Sequence, residues 1–372
     1  MATAQVSYGD VVYRLADRSS DELLRSLLRE NDMQSWVSLS FQREPDYFLG
    51  EGLMGDSYSV LVHHQHRPDK AMGMYSFSYL PVKLDGQGEI LGYLGSLRVG
   101  EAYRNNLRYL KQGYDSIRKL VPDQGSRKSW FTSIAIGNRQ ARRLLEAGLK
   151  GLPKYTPLGT LLTIAISTSR GRCTGALQQL AKQDIEAFVS FYNKATAEYQ
   201  YSPWLSKEWL QRLQGDKGLR LDDFFVVRDQ GRIVASLAVW DQRAFKQTVI
   251  HEYVKPLKRW RLAYNLYSAL SGRPLLPASG DQLQQVYISF MACEPAYRQH
   301  LIPMIQHALY IVSKRKGCVG VLGLSTENPL LNILKKHFPM QTYETCIERV
   351  DWEQPDDIQK YSDPVQPEVA ML

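Results

Sequence analysis

Apolar and polar positions along this chain follow two rhythms, one strand-like and one helical, and they recur in the same order in each half. Val11 to Leu15 is a short apolar run bounded by polar residues and predicts a strand; Ser19-Ser20-Asp21 then offers N-cap chemistry to a helix carrying Leu23, Leu24, Leu27 and Leu28 on one face. A loop through Glu44-Pro45-Asp46-Tyr47-Phe48 leads to a predicted hairpin of Tyr58 to His64 and Met72 to Val82, with its turn at Arg67-Pro68-Asp69. A long strand, Ile90 to Val99, follows, and then a helix with Leu107, Leu110, Tyr114, Ile117 and Val121 along one side. Phe131 to Ile136 is another strand, and Ala141, Leu144, Leu145 and Leu149 fall at helical spacing until Pro153 ends that helix.

The second half restates the order. Asp184 to Ala197 opens it as a helix, and Phe224 to Val227 pairs with Ile233 to Trp240 across Gln230-Gly231. The strand Val286 to Cys293 leads to a helix with Leu301, Met304, Ile305, Ala308 and Leu309, and Val319 to Leu324 leads to one with Leu330, Ile333, Leu334 and Phe338. Ala102-Tyr103-Arg104 returns 194 positions later as Ala296-Tyr297-Arg298, with Glu101 and Glu294 just upstream, and Asn138 has a counterpart in Asn328. These matches predict an α/β (α+β) duplication: a domain over residues 1–167, a second over 175–353, a Ser-, Thr-, Gly- and Arg-rich boundary at Ser167 to Thr174, and a polar tail over 354–372 lying on the surface.

A chain of 372 residues suits two domains, and its 44% hydrophobic and 23% charged content is that of a soluble globular protein. No apolar run nears the ~20 residues that span a bilayer, and the N-terminus lacks a signal-peptide pattern, so a cytoplasmic location is the expectation. The four cysteines show no CxxC pair and no metal-ligand spacing, which predicts reduced, mostly buried thiols and no metal. The net charge of +8 suits a phosphorylated ligand, an acidic partner or a nucleic acid. An extra segment of the second half, Gln242 to Asp281, interleaves Arg243, Lys246, Lys255, Lys258, Arg259, Arg261 and Arg273 with Phe245, Tyr253, Trp260, Tyr264 and Tyr267. Three readings stand: an amphipathic cover over the sheet, a wall of the site's mouth, or a nucleic-acid surface, the last being the least favoured.

Both Ala-Tyr-Arg units end a strand and begin a helix, the place where α/β folds bind anions. The order of elements, with Leu94-Gly95-Ser96-Leu97-Arg98-Val99 running into Tyr103-Arg104 and with Asn138, Ala141 and Leu144 in the later helix, resembles the GNAT acyltransferase superfamily in a tandem arrangement. The resemblance covers Val11 to Trp352 and implies two GNAT-like domains, each a mixed central sheet flanked by helices. It implies an acyl-CoA co-substrate, acetyl-CoA or another, in the first half. Leu97 and Val99 would supply the strand that pairs with the pantetheine arm, Arg104, Asn105, Asn106, Leu107, Arg108 and Tyr109 the pyrophosphate loop, and Asn138 a further cofactor contact. The implied reaction is N-acetyl transfer to a primary amine of a small molecule or peptide by direct attack on the thioester.

The chain departs from the family's pattern at particular residues. Leu107 and Tyr109 stand where the family has glycines, Pro303 removes a backbone donor from the second copy, and the family's catalytic tyrosine aligns with Leu145 and Lys335. Protonation of the thiolate then falls to Tyr103, Tyr155 or water, and Glu101 is the base nearest in sequence. Each of these has a structural alternative: Glu101 as a helix-start anion, Arg104 as a surface ion-pair partner, Tyr103 and Tyr297 as core anchors, and His63, His64 and His66 as exposed turn residues. Two further functions stay open, a non-catalytic binding protein of the same fold and a tRNA-dependent aminoacyl transferase. The acceptor, the acyl length and the oligomeric state are not written in the sequence.

Overall fold

The computed structural model describes residues 4–32, 37–53, 55–104, 106–120, 129–175, 177–213, 217–352 and 363–372. Its framework is one mixed sheet of thirteen strands. From one edge the first half of the chain lays down β1 (Gln5–Tyr8), β2 (Val11–Leu15), β4 (Asp56–His64), β5 (Arg67–Leu84), β6 (Gln87–Val99) and β7 (Trp130–Ala135). From the other edge the second half lays down β9 (Gln178–Gln179), β10 (Phe224–Asp229), β11 (Arg232–Trp240), β13 (Gln285–Cys293) and β14 (Val319–Ser325). The two remaining strands cross over: β15 (Met340–Asp351) pairs with β7, β8 (Lys154–Ser167) pairs with β14, and β8 and β15 pair with each other. The closing strand of each half is thus built into the sheet of the other.

Helices cover both faces. Tyr114, Ile117 and Leu120 of α2 (Leu107–Leu120) pack over β2, β4 and β5 together with Val60, Tyr75 and Phe77, and Met304, Ile305, Ala308 and Leu309 of α7 (Leu301–Lys314) do the same over the second half. A third cluster joins the halves, running from Leu80, Val82, Tyr93 and Phe131 to Phe188 of α4 (Ile185–Ala195), Trp240 and Phe290. Each fully buried Leu or Phe stabilises the fold by roughly 1.5–3 kcal/mol, so this shared face fastens the halves more firmly than the connecting loop. A separate ribbon of β3 (Val37–Gln42) and β12 (Gln247–Tyr253) carries α6 (Lys255–Ser271) against Tyr253 and Leu276.

The observed elements depart from the predicted ones in instructive places. Arg67-Pro68-Asp69 starts β5 instead of turning; the ladder passes from His64↔Arg67 to His63↔Ala71, so Pro68 falls where no donor is required. His63 is buried, whereas His66 is exposed as expected. The helix after Asn138, α3 (Arg139–Leu145), stops short of Leu149 because Gly148 takes a left-handed conformation with φ of 63°. Cys346 is buried, but Cys173 and Cys318 are exposed thiols. The end of the tail is not a surface extension: Val365, Ala370 and Met371 are buried in the cluster shared by the halves. The tail's residues 353–362 and Val121 lie outside the described residues.

Candidate functional site

Each half contains a pair of parallel strands that hold together at one end and part at the other. β6 pairs with β7 only from Gly92↔Trp130 to Leu94↔Thr132, and β13 with β14 only from Gln285↔Val319 to Tyr287↔Val321. Beyond those pairs the strands diverge and leave a cleft. Both clefts carry the same kink. The ladder between β5 and β6 skips Ser96 and Leu97, and that between β11 and β13 skips Phe290 and Met291. Ser96 has φ of 53° and Phe290 φ of 50°, and they stand at the same 194-residue offset as the Ala-Tyr-Arg copies. Such a bulge turns a backbone donor out of the ladder toward whatever fills the cleft.

The clefts differ in what fills them. In the second half the chain's own last segment does so: Phe290 N donates to the Glu368 carboxylate at 3.0 Å, and Ser325 N donates to Gln366 Oε1 at 2.9 Å. Gly323 permits this approach, since a Cβ there would lie 2.8 Å from the Cβ of Val369. Burial raises the pKa of Glu368, opposed by the N–H groups of Phe290 and Ala370 that hold its carboxylate. In the first half, among the described residues, no segment is hydrogen-bonded across the bulge in this way, and the cleft opens into a cavity of about 1230 Å³ lined by Ser96, Leu97, Arg98 and Val99, with Val369, Met371 and Leu372 of the last segment in its wall.

Side-chain alternation along β6 gives this cavity two unlike sides. On the Leu94 side lie Tyr13, Tyr75, Tyr114, Ile117, Leu145 and Tyr155, from the apolar cluster beneath α2. Their hydroxyls are spent inside the protein: Tyr13 Oη donates to Tyr109 O at 2.9 Å, Tyr75 Oη meets Ser116 Oγ at 2.6 Å, and the Tyr114 and Tyr155 hydroxyls bond each other. That side therefore presents hydrocarbon. On the Tyr93 side are Arg43, Glu51, Arg98, Lys246 and Tyr343. Burial lifts the Glu51 carboxyl to about 7 despite Arg43 and Lys217 nearby. Burial, aided by Arg43, brings the Lys246 ammonium down to about 7, and its Nζ donates to Leu372 O at 2.7 Å. Arg98 Nη1 donates to Leu97 O at 2.9 Å, while its Nε is buried without a hydrogen-bond partner among the described residues. Glu51 is the one carboxylate among the described lining side chains.

The predicted residues distribute unevenly around this space. Leu97, Val99, Tyr103, Arg104, Asn106, Leu107, Tyr109, Asn138 and Tyr155 line it; Glu101 is exposed and does not, and neither does Arg108. Asn105 lies outside the described residues. Leu97 and Leu107, 41% and 43% exposed, frame the mouth with apolar side chains. Asn106 caps α2 by accepting from Arg108 N at 3.0 Å, and Asn138 caps α3 by accepting from Ala141 N at 3.2 Å. Among the described residues Arg104 bonds only neutral partners, donating to Asn31 Oδ1 at 2.9 Å and to Val99 O at 3.3 Å, whereas its twin Arg298 stands 3.9 Å from Glu198. Tyr103 packs edge-on between His64 and Tyr109. Sequence reasoning missed Arg139 and Arg143, which stand on successive turns of α3 and line the cavity, as Arg104 does, and it missed Arg43, Glu51 and Arg98. The i,i+4 arginines after a capped helix start were a legible signal. The insertion supplies Phe245, Lys246, Tyr253, Leu275 and Leu276 to the cavity wall.

No family model and no curated protein matches the sequence. Solved structures match its fold. One of Saccharomyces cerevisiae N-myristoyltransferase with bound myristoyl-CoA superposes with a TM-score of 0.61 at 11% identity, covering 94% of this chain and 85% of that one. Another, with myristoyl-CoA and inhibitors, gives 0.62 at 13% identity over 93% and 81%. A GCN5-related N-acetyltransferase from Sphaerobacter thermophilus gives 0.48 at 12% identity over 81% and 82%. The chain has a GNAT-like fold over nearly its whole length, in the form that N-myristoyltransferase takes.

Proposed function

We propose that the chain is an acyl-CoA-dependent N-acyltransferase with one working cleft, that of residues 1–167, while residues 175–353 provide its structural twin and one wall of the acceptor site. The observation that carries this reading is the contrast between two equivalent bulges, one occupied by Glu368 and the other open to a large cavity. Backbone donors freed at Ser96 and Leu97 would polarise the thioester carbonyl, a preorganised stabilisation of the developing oxyanion. Arg104, Arg139 and Arg143 form a basic rim suited to the phosphates of CoA, and the capped start of α2 adds its dipole. The fold's relative that binds myristoyl-CoA supports an acyl-CoA as donor. The hydrocarbon side beneath α2 favours an acyl group longer than the acetyl expected from sequence.

The acceptor enters on the other side. Glu51 is the base within the cavity, and it replaces Glu101 in that role because Glu101 faces solvent. Arg43 and Arg98 bias that side toward an amine that also carries an anionic group. Titration calorimetry with a series of acyl-CoAs tests the donor: affinity should rise by up to ~0.8 kcal/mol per added methylene until the sleeve is filled. No heat with any acyl-CoA at millimolar concentration, together with no CoA species in native mass spectra, would end the proposal. Equal affinity for all chain lengths would leave acetyl transfer as the activity. An acceptor panel pairing free amino acids with their amides should favour the acids, and Arg98→Gln should erase that preference.

A further inference from the structure

α6 is built inside out. Its inward row, Leu257, Arg261, Tyr264 and Ser268, moors it largely by polar contacts: Arg261 Nη1 and Asn265 Nδ2 donate to Leu276 O at 3.0 and 2.9 Å, Leu276 N donates to Asn265 Oδ1 at 2.8 Å, and Gln341 Nε2 donates to Tyr264 Oη at 2.8 Å. Its outward row is Leu262, Leu266 and Leu270, exposed by 75%, 67% and 84%, flanked by Trp260 at 65% and Tyr267 at 55%. Helical periodicity puts these on one continuous side. Four residues past the end of the helix, Leu275, 50% exposed, lies in the wall of the cavity.

Along the chain this stretch carries one sign of charge. From Tyr253 to Gly280 there is no Asp or Glu, while Lys255, Lys258, Arg259, Arg261 and Arg273 all fall in that stretch. Arg261 turns inward to Leu276 and Lys258 pairs with Glu252 at 3.2 Å, which leaves Lys255 and Arg259 exposed at the helix's first turn and Arg273 beside the Tyr267 ring at its end. A contiguous apolar patch of this kind marks an interaction surface. Leucines outward, an indole and a phenol at the flank and cations at both ends match the interface of an anionic bilayer, where apolar side chains enter the acyl boundary and basic ones meet the headgroups.

We propose that α6 seats the protein on an anionic lipid surface, with the cavity's mouth facing the bilayer through Leu275. The contact is peripheral: no helix of the described residues is long and apolar enough to cross a membrane. This inference is independent of the reaction proposed above, since lipid binding is measured without substrate. Co-sedimentation of the full chain with phosphatidylcholine vesicles, with and without phosphatidylglycerol, tests it. Binding should require the anionic lipid and weaken as salt rises. Leu266→Asp combined with Leu270→Asp should lower the bound fraction by roughly tenfold or more, with an unchanged circular dichroism melt because both side chains already face water. Brominated lipid should quench part of the tryptophan fluorescence, and Trp260→Phe should remove that quenching without altering charge. Protein that stays in the supernatant with anionic vesicles overturns the proposal, as does an aspartate variant that binds like the parent. A dimer in sedimentation equilibrium that those aspartates split would also overturn it, assigning the patch to a second copy of the chain.

Discussion

As the proposed base, Glu51 makes opposite demands on folding and on catalysis. Its carboxyl titrates near 7 in the folded chain against an ordinary 4.5, because burial penalises the charged form. The folded state therefore holds the proton more tightly than the unfolded one. The stabilising share is complete below about 4.5 and is lost as pH rises to about 7. Catalysis needs the ionised form, so kcat/KM should climb through pH ~7 as the base appears. Glu51→Gln should flatten that limb, lower kcat/KM by roughly a hundredfold or more, and reduce the loss of stability with pH. Lys246 titrates in the same range, so its Lys246→Met variant is the control. If that variant loses the limb and Glu51→Gln keeps it, the base is misassigned.

At the scale of elements, the informative unit is a strand end, its bulge and the helix after it. Much of it was legible. The Ala-Tyr-Arg copies, the matching Asn138 and Asn328 and the apolar periods of α2 and α7 located both clefts, because each depends on neighbours along the chain. The occupant of the second cleft was not legible. Glu368 and Gln366 read as tail residues since nothing local calls for a buried carboxylate; their partners, Phe290 N and Ser325 N, lie far away in sequence. Arg43 and Glu51 were missed for the same reason, reaching the cavity from the loop that follows the ribbon strand β3, itself paired with the insertion. Glu368→Ala would strand the Phe290 N–H in the core and should cost about 1–3 kcal/mol in urea unfolding. Glu368→Gln keeps an acceptor oxygen and should cost less than half as much. Equal losses for the two would mean that the segment is held by packing alone.

For the whole molecule, the crossed strands decide how the halves relate. The sequence suggested two domains divided near Ser167, and an apolar run such as Leu158 to Ile166 cannot announce which sheet it will join. In the fold, β7 receives its outer neighbour from β15, register Trp130↔Val350 to Ala135↔Thr345, and β14 receives its own from β8, register Val319↔Ser167 to Ser325↔Leu161. A half expressed alone would leave one strand edge unpaired and the shared apolar face uncovered, both of which promote association and unfolding. Residues 1–167 and 168–372 produced as separate chains should therefore be insoluble or lack a cooperative melt, yet copurify when produced together. The intact chain should unfold in one transition, with calorimetric and van't Hoff enthalpies in agreement. A first half that melts cooperatively alone would show that β15 is dispensable to it. Since Arg98 on β6 lines the same cavity as Lys246 and Tyr287 of the second half, such a half should also bind acyl-CoA more weakly than the recombined pair, because one wall of the site would be missing.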